Sequence, residues 1–205
     1  MSAFPGDPKT QVQEVPRKPA GAARAAVLPQ NILRAMVRLE GLLEGQDERW
    51  AIGGDAAELV LGVFVEADRL EVYTSKKGGE AIALALSAYQ VLPPKETEKP
   101  MEREAMLDGK PAPAFVKSDY AEYTLDGVKV EVYGDLRIRI GERDWSDPLQ
   151  FEPTYANIIG HSIPFVPLEL KSKVYSYLGD NWADRAEMIS EAKRRAKRDQ
   201  FTSKA

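Results

Sequence analysis

Two adjacent glycines open the question of chemistry in this chain. In "WAIGGDAAELVLG", Trp50 to Gly62, Gly53 and Gly54 separate an apolar run from a segment with helical spacing. Such a pair either lets backbone approach a phosphate, with free N–H groups of the following helix behind it, or makes the tight turn that a strand-to-helix connection needs. Downstream, the carboxylates of Asp68 and Glu71 bracket "DRLE", and Glu131 stands beside Lys129 in "GVKVEVYG". Lys171 and Lys173 follow in "PLELKSKVYSYLG". The chain has no cysteine and a single histidine, His161. That excludes a thiolate nucleophile, a disulfide framework and a zinc site built on sulfur, and gives a histidine-rich metal site or a serine hydrolase site poor support. Chemistry therefore falls to carboxylates and lysines.

The elements that must position these residues come from one ordinary-sized domain, because 205 residues at 43% hydrophobic can bury a single core with some length to spare. Charged residues are 29% and the net charge is -4, so no general attraction to nucleic acid or anionic membrane is expected. The basic segment "EAKRRAKRDQFTSKA" is the local candidate for contact with nucleic acid or a protein partner, although a helix dipole also favours cations there. No apolar run approaches the roughly 20 residues of a membrane span, and the first residues lack the apolar centre of a secretory signal. These features predict a soluble cytoplasmic protein with no membrane partner.

Patterning predicts a flexible arm over residues 1–28, a main domain over 29–165 and a helical section with a basic tail over 166–205. "NILRAMVRLEGLLEG" reads as a helix with Asn31 as its cap, "RWAI" as a buried strand, and the segment after the glycines as a second helix. "RLEVYT" is a strand, and Lys77 to Val91 is a third helix. The proline-broken "LPPKETEKPMEREAMLDGKPAP" reads as a long loop. Asp126-Gly127 and Gly134-Asp135 read as two hairpin turns of a three-stranded antiparallel meander. In its middle strand Val128, Val130 and Val132 face one way and Lys129, Glu131 and Tyr133 the other. A short strand near Ala156 to Ile159, the strand "SIPFV", a helix from Pro167 to Leu178 stopped by Gly179, and a last helix from Asn181 complete the chain.

This order, with "AIGGDAAELVLG", then "EADRLEVYT", then "SIPFVPLELKSKVYSYLGDNWADRAEMI", resembles the nucleotidyltransferase superfamily over roughly Asn31 to Ile189, in particular its minimal prokaryotic members and the abortive-infection toxins. The resemblance implies an α/β (α+β) fold, a nucleotidyltransferase-like mixed sheet with flanking helices and a small helical C-terminal section. It implies transfer of a nucleoside monophosphate from a nucleoside triphosphate to a hydroxyl acceptor, with Mg2+ as cofactor. By the same resemblance Gly53 and Gly54 approach the triphosphate, Asp68, Glu71 and Glu131 hold metal, and Lys171 or Lys173 neutralises phosphate. Two divalent cations clamp the attacking and leaving oxygens in such a transfer, which requires converging carboxylates.

Three departures from the family pattern bear on that expectation. Aligned by apolar residues, Arg69 falls at the first acid of the Asp-x-Asp signature and Glu71 at the second. Aligned through Asp68, the acids stand at i and i+3, which share a face only across a bulge. Asp55 with Glu58 makes a capping-box pattern at the helix start where an anion would bind. Each therefore has a structural alternative: an ion pair for Glu131, a solvated helix face for Lys171 and Lys173, a surface pair for Asp184 and Arg185, and a loop role for His161. Arg137, Arg139 and Lys129 form either a basic stripe or an ordinary exposed face. The second functional expectation is a catalytically degenerate nucleotidyltransferase fold serving as a binding or regulatory module, toxin–antitoxin-like in kind, with a protein partner.

Overall fold

A computed structural model describes residues 28–202, with side chains to 198. The arm expected over 1–28 lies, apart from Leu28, outside them. Helix α1, Gln30–Leu42, forms because Ile32, Met36 and Leu39 share one buried face. It starts on Pro29, and no side chain caps it, so Asn31 is not the cap. Strand β1, Trp50–Gly53, runs directly into α2, Gly54–Val60. Strand β2, Arg69–Thr74, follows. The third helix, α3, spans Lys76–Ala85, its start fixed by the Ser75 hydroxyl, which accepts from the Gly78 N–H, and it ends well before the expected Val91. A short 3-10 turn, Ser87–Tyr89, then ends the helical stretch.

The segment expected to be a loop is instead strand β3, Gln90–Pro100, followed by a small hairpin of β4, Ala105–Leu107, and β5, Lys110–Ala112. Its prolines and charges are those of an edge strand, where a missing N–H costs nothing if it faces solvent. The main sheet is completed by β6, Ala114–Leu125, β7, Val128–Ile140, β8, Thr154–Ile158, and β9, His161–Phe165. Its order is β3-β6-β7-β2-β1-β9-β8. The pairs β7–β2 and β1–β9 are parallel and the rest antiparallel. Helices α4, Leu168–Leu178, and α5, Ala183–Thr202, close the chain, and Gly179 at φ 85 ends α4 as expected. No helix among the described residues is long and apolar enough to cross a membrane.

The meander has one turn, not two. Asp126-Gly127 joins β6 to β7, both of them long, whereas Gly134-Asp135 lies inside β7. There Lys117 pairs with Arg137 and Asp119 with Gly134, so Ser118 opposes two residues, Asp135 and Leu136. This is a β-bulge, with Asp135 in the left-handed region at φ 50. Turn and bulge draw on the same glycine and aspartate chemistry, which is why the sequence misleads here. The extra residue changes which parity faces which side. Before it, Val128, Val130 and Val132 join Ile32, Met36, Leu70, Val72 and Phe165 in the core beneath α1. After it, Ile138 and Ile140 point to the opposite face, where they pack with Leu168, Leu178 and Ile189 of α4 and α5. Lys129 therefore faces one side of the sheet and Arg137 and Arg139 the other, so the three form no common stripe.

Candidate active site

On the face opposite α1, the registers of β2, β7 and β6 align side chains in three rows. Tyr73, Tyr133 and Tyr120 make the first, Glu71, Glu131 and Glu122 the second, and Arg69, Lys129 and Thr124 the third. Like charges directly opposite on neighbouring strands repel, so the acid row needs donors on both sides. The tyrosine row supplies one side: Tyr73 donates to Glu71 at 2.8 Å, Tyr120 to Glu131 at 2.8 Å and Glu122 at 3.0 Å, and Tyr133 to Glu131 at 3.1 Å. The cation row supplies the other. Lys129 Nζ bridges Glu131 at 2.7 Å and Glu122 at 3.2 Å. Arg69 Nε lies 3.4 Å from Glu131 and 3.7 Å from Glu71.

Glu131 is 9% exposed at its side chain. Burial pushes its carboxyl up, but Lys129 and the tyrosine hydroxyls outweigh that and hold it below its usual value, so it stays ionised. Burial and the neighbouring carboxylates push the Tyr73 and Tyr133 hydroxyls well up, which keeps them as donors.

Both glycines have a steric reason in this arrangement. A Cβ on Gly53 would stand 2.7 Å from the Tyr73 ring, and one on Gly54 2.5 Å from the Glu71 carboxylate. Gly54 is also left-handed, at φ 60. The turn thus lets the acid row lie against the backbone of the strand-to-helix connection.

A second cluster joins this face to the C-terminal helices. Glu58 on α2 is fully buried. The Tyr175 hydroxyl donates to it at 2.5 Å, Lys171 Nζ lies at 3.2 Å, and Arg185 reaches it at 3.3 Å while pairing with Asp55 at 2.8 Å. Burial would lower the Lys171 ammonium, but Tyr175, Glu58 and Glu71 raise it above its usual value and keep it charged. Burial chiefly pushes the Tyr175 hydroxyl up to about 12. Glu58 and Asp55 therefore form no capping box: α2 has no side-chain cap, and both carboxylates turn toward the C-terminal section. Lys171 is not on a solvated helix face, and Arg185 is not a surface partner of Asp184, which pairs with Arg103 at 2.9 Å instead. Sequence reasoning gave Glu58 a capping role and missed this cluster, in which its partners lie more than a hundred residues away.

Between these two clusters is a cleft of ≈380 Å³, with Gly54, Glu71, Glu131, Lys171 and Arg185 on its walls and Leu136 and Ile138 on its floor. Of the other expected residues, Gly53 lies behind Tyr73, and Lys173 is exposed on α4 away from the cleft lining. Asp68 precedes β2 with its side chain 86% exposed, 3.9 Å from Arg69, and stands outside the acid row. His161 pairs with Glu40 of α1 at 3.0 Å.

The residues present do not fit a magnesium site. Magnesium demands a near-octahedral oxygen set. Here the guanidinium of Arg69 lies beside the two facing acids, Glu71 and Glu131, and Lys129 bridges the next pair. Among the described residues, no three carboxylate or imidazole groups are placed to hold a metal ion.

No protein-family model matches the sequence, and no curated protein matches it. The chain is similar to the crystal structure of a nucleotidyltransferase candidate, TM1012 of Thermotoga maritima, with 22% identity and a TM-score of 0.62 over 80% of this chain and 94% of that one. It also overlaps ANT(2")-Ia in complex with adenylyl-2"-tobramycin, at 10% identity and TM-score 0.42 over 82% and 98% of the two chains. The solution structure of the antibiotic-resistance factor ANT(2'')-Ia overlaps at 13% identity and TM-score 0.41, over 86% and 96%. The likeness in fold rests on the first of these. With the Gly-Gly turn, the acid on β2 and the later acid on β7 brought together on one face of a mixed sheet, the chain is similar in fold to that nucleotidyltransferase candidate.

Proposed function

We propose that this protein binds a nucleotide in the cleft between the acid row and the C-terminal helices without carrying out two-metal nucleotidyl transfer. The observation that carries this reading is the position of Arg69. Its guanidinium lies within 3.4 and 3.7 Å of the two carboxylates that would have to share a cation, and it supplies that cation covalently. An arginine at this place offsets part of the charge of Glu71 and Glu131 but ligates no metal. The cleft itself, with its apolar floor, aromatic flank and charged groups of both signs, has the make-up of a small-molecule site. Its output is then a bound state read by a protein partner, the role of a regulatory or toxin–antitoxin-like module.

The test is incubation of purified protein and cell extract with labelled nucleoside triphosphates and Mg2+, alongside calorimetric titration with nucleotides. Binding without label transfer is the expected result. Transfer that disappears in Glu71→Ala would overturn this reading. It would favour the enzyme in which Asp68, Glu71 and Glu131 serve a metal, Gly53 and Gly54 approach the triphosphate, and Lys171 or Lys173 meets phosphate.

A further inference from the structure

We infer that the nucleotide is a nucleoside monophosphate bound without a divalent cation, with its phosphate seated on the guanidinium of Arg69. This rests on the nucleotide-binding reading above and adds to it the ligand class, the residue that selects it and independence from metal.

The state of Arg69 is the first ground. Its Nε is buried yet donates no hydrogen bond. The surrounding carboxylates of Asp68, Glu71, Glu102 and Glu131 hold it by charge alone, at 3.4 to 3.9 Å. A guanidinium offers five donors in a fixed fork that matches phosphate oxygens. The side chain lines the cleft and is 36% exposed, so part of the fork is open to a ligand.

Charge balance in the cleft is the second ground. Its lining carries Arg69, Lys99, Lys171 and Arg185 against Asp55, Glu71, Glu102 and Glu131. The two sets cancel, so no net positive field draws in a polyanion. A phosphate monoester carries about 1.5 to 2 negative charges at pH 7. One such group can be met by Arg69, whereas each further phosphate would be pressed against Glu71 or Glu131 with no divalent ion between. Size points the same way: ≈380 Å³ is compact for a small-molecule site, near the low end of a range of about 300–1,000 Å³. The apolar floor of Leu136, Ile138, Leu149 and Val174 offers a surface for base and sugar, which inorganic phosphate would leave unused.

The experiment is calorimetric titration of the full chain with each of the four ribonucleoside monophosphates, with ATP and with inorganic phosphate, in EDTA and again in excess Mg2+. At least one monophosphate should bind in EDTA with affinity unchanged by Mg2+. It should bind at least tenfold more tightly than ATP or inorganic phosphate. Arg69→Lys keeps the charge but loses the fork, and should weaken that binding tenfold or more while its thermal unfolding shows that the fold is intact. Binding of ATP only, and only with Mg2+, would overturn this inference and leave the nucleotide reading standing. Inorganic phosphate binding as tightly as the monophosphate, or unchanged affinity in both Arg69→Lys and Arg69→Ala, would also overturn it. No binding of any nucleotide would overturn both.

Discussion

Arg69, Glu71 and Glu131 set the chemistry of the site at the scale of single residues, and Gly54 sets how closely they pack. Gly54→Ala puts a Cβ into the Glu71 carboxylate at a left-handed backbone position, and should destabilise the fold by about 1–3 kcal/mol. Part of that comes from the side-chain clash. In Glu71→Ala the same substitution should cost less, a non-additivity that urea denaturation of the four proteins of the cycle would measure. Equal cost in both backgrounds would contradict the packing account. Glu131 makes a second residue-scale prediction. Its folded pKa is depressed, so the stability it contributes is fully present above its unfolded value and is lost as pH falls through the folded one. From about pH 5 downward, wild type should therefore lose stability more steeply than Glu131→Gln, and parallel curves would refute this. The identity of these residues was partly legible beforehand. Glu71 and Glu131 stand out as acids on strands, and Arg69 as a departure from the family pattern. That Arg69 resolves their mutual repulsion was not legible, because it depends on a parallel pairing between β2 and β7 across about sixty residues of chain.

At the scale of elements, the bulge in β7 decides which face holds the cleft floor. Deleting Asp135 would leave one residue opposite Ser118 and turn Ile138 and Ile140 away from α4 and α5. The variant should then fail to fold cooperatively, as loss of a sharp thermal transition would show. A near-wild-type transition would mean that the bulge is dispensable. Helices α2, α4 and α5 meet at Glu58. Glu58→Ala strips buried Lys171 of its carboxylate partner and leaves Arg185 with Asp55 alone, and should cost about 3–5 kcal/mol in urea denaturation. A loss below about 1 kcal/mol would place the cluster with weak surface pairs. Helices with one apolar stripe, such as α1, and punctuated ones, such as α4 between Pro167 and Gly179, could be read directly from the chain. Strand β3 could not, since an edge strand blunted by Pro93, Pro94 and Pro100 has the composition of a loop. Gly134-Asp135 misled because local residue chemistry does not distinguish a turn from a bulge. Only the partner strand does.

At the scale of the whole molecule, the sheet brings residues from three separate strands into one acid row, and the C-terminal helices close over it. In the reading proposed above, the guanidinium of Arg69 stands where these acids would otherwise gather a cation. The most direct measurement is Mn2+ titration, by calorimetry or by the paramagnetic signal of free Mn2+, of wild type and of Arg69→Asp. Wild type should show no stoichiometric Mn2+ binding, whereas Arg69→Asp should gain one site that disappears when Glu131→Gln is added. Stoichiometric Mn2+ binding to wild type, abolished by Glu71→Gln or Glu131→Gln, would contradict the account.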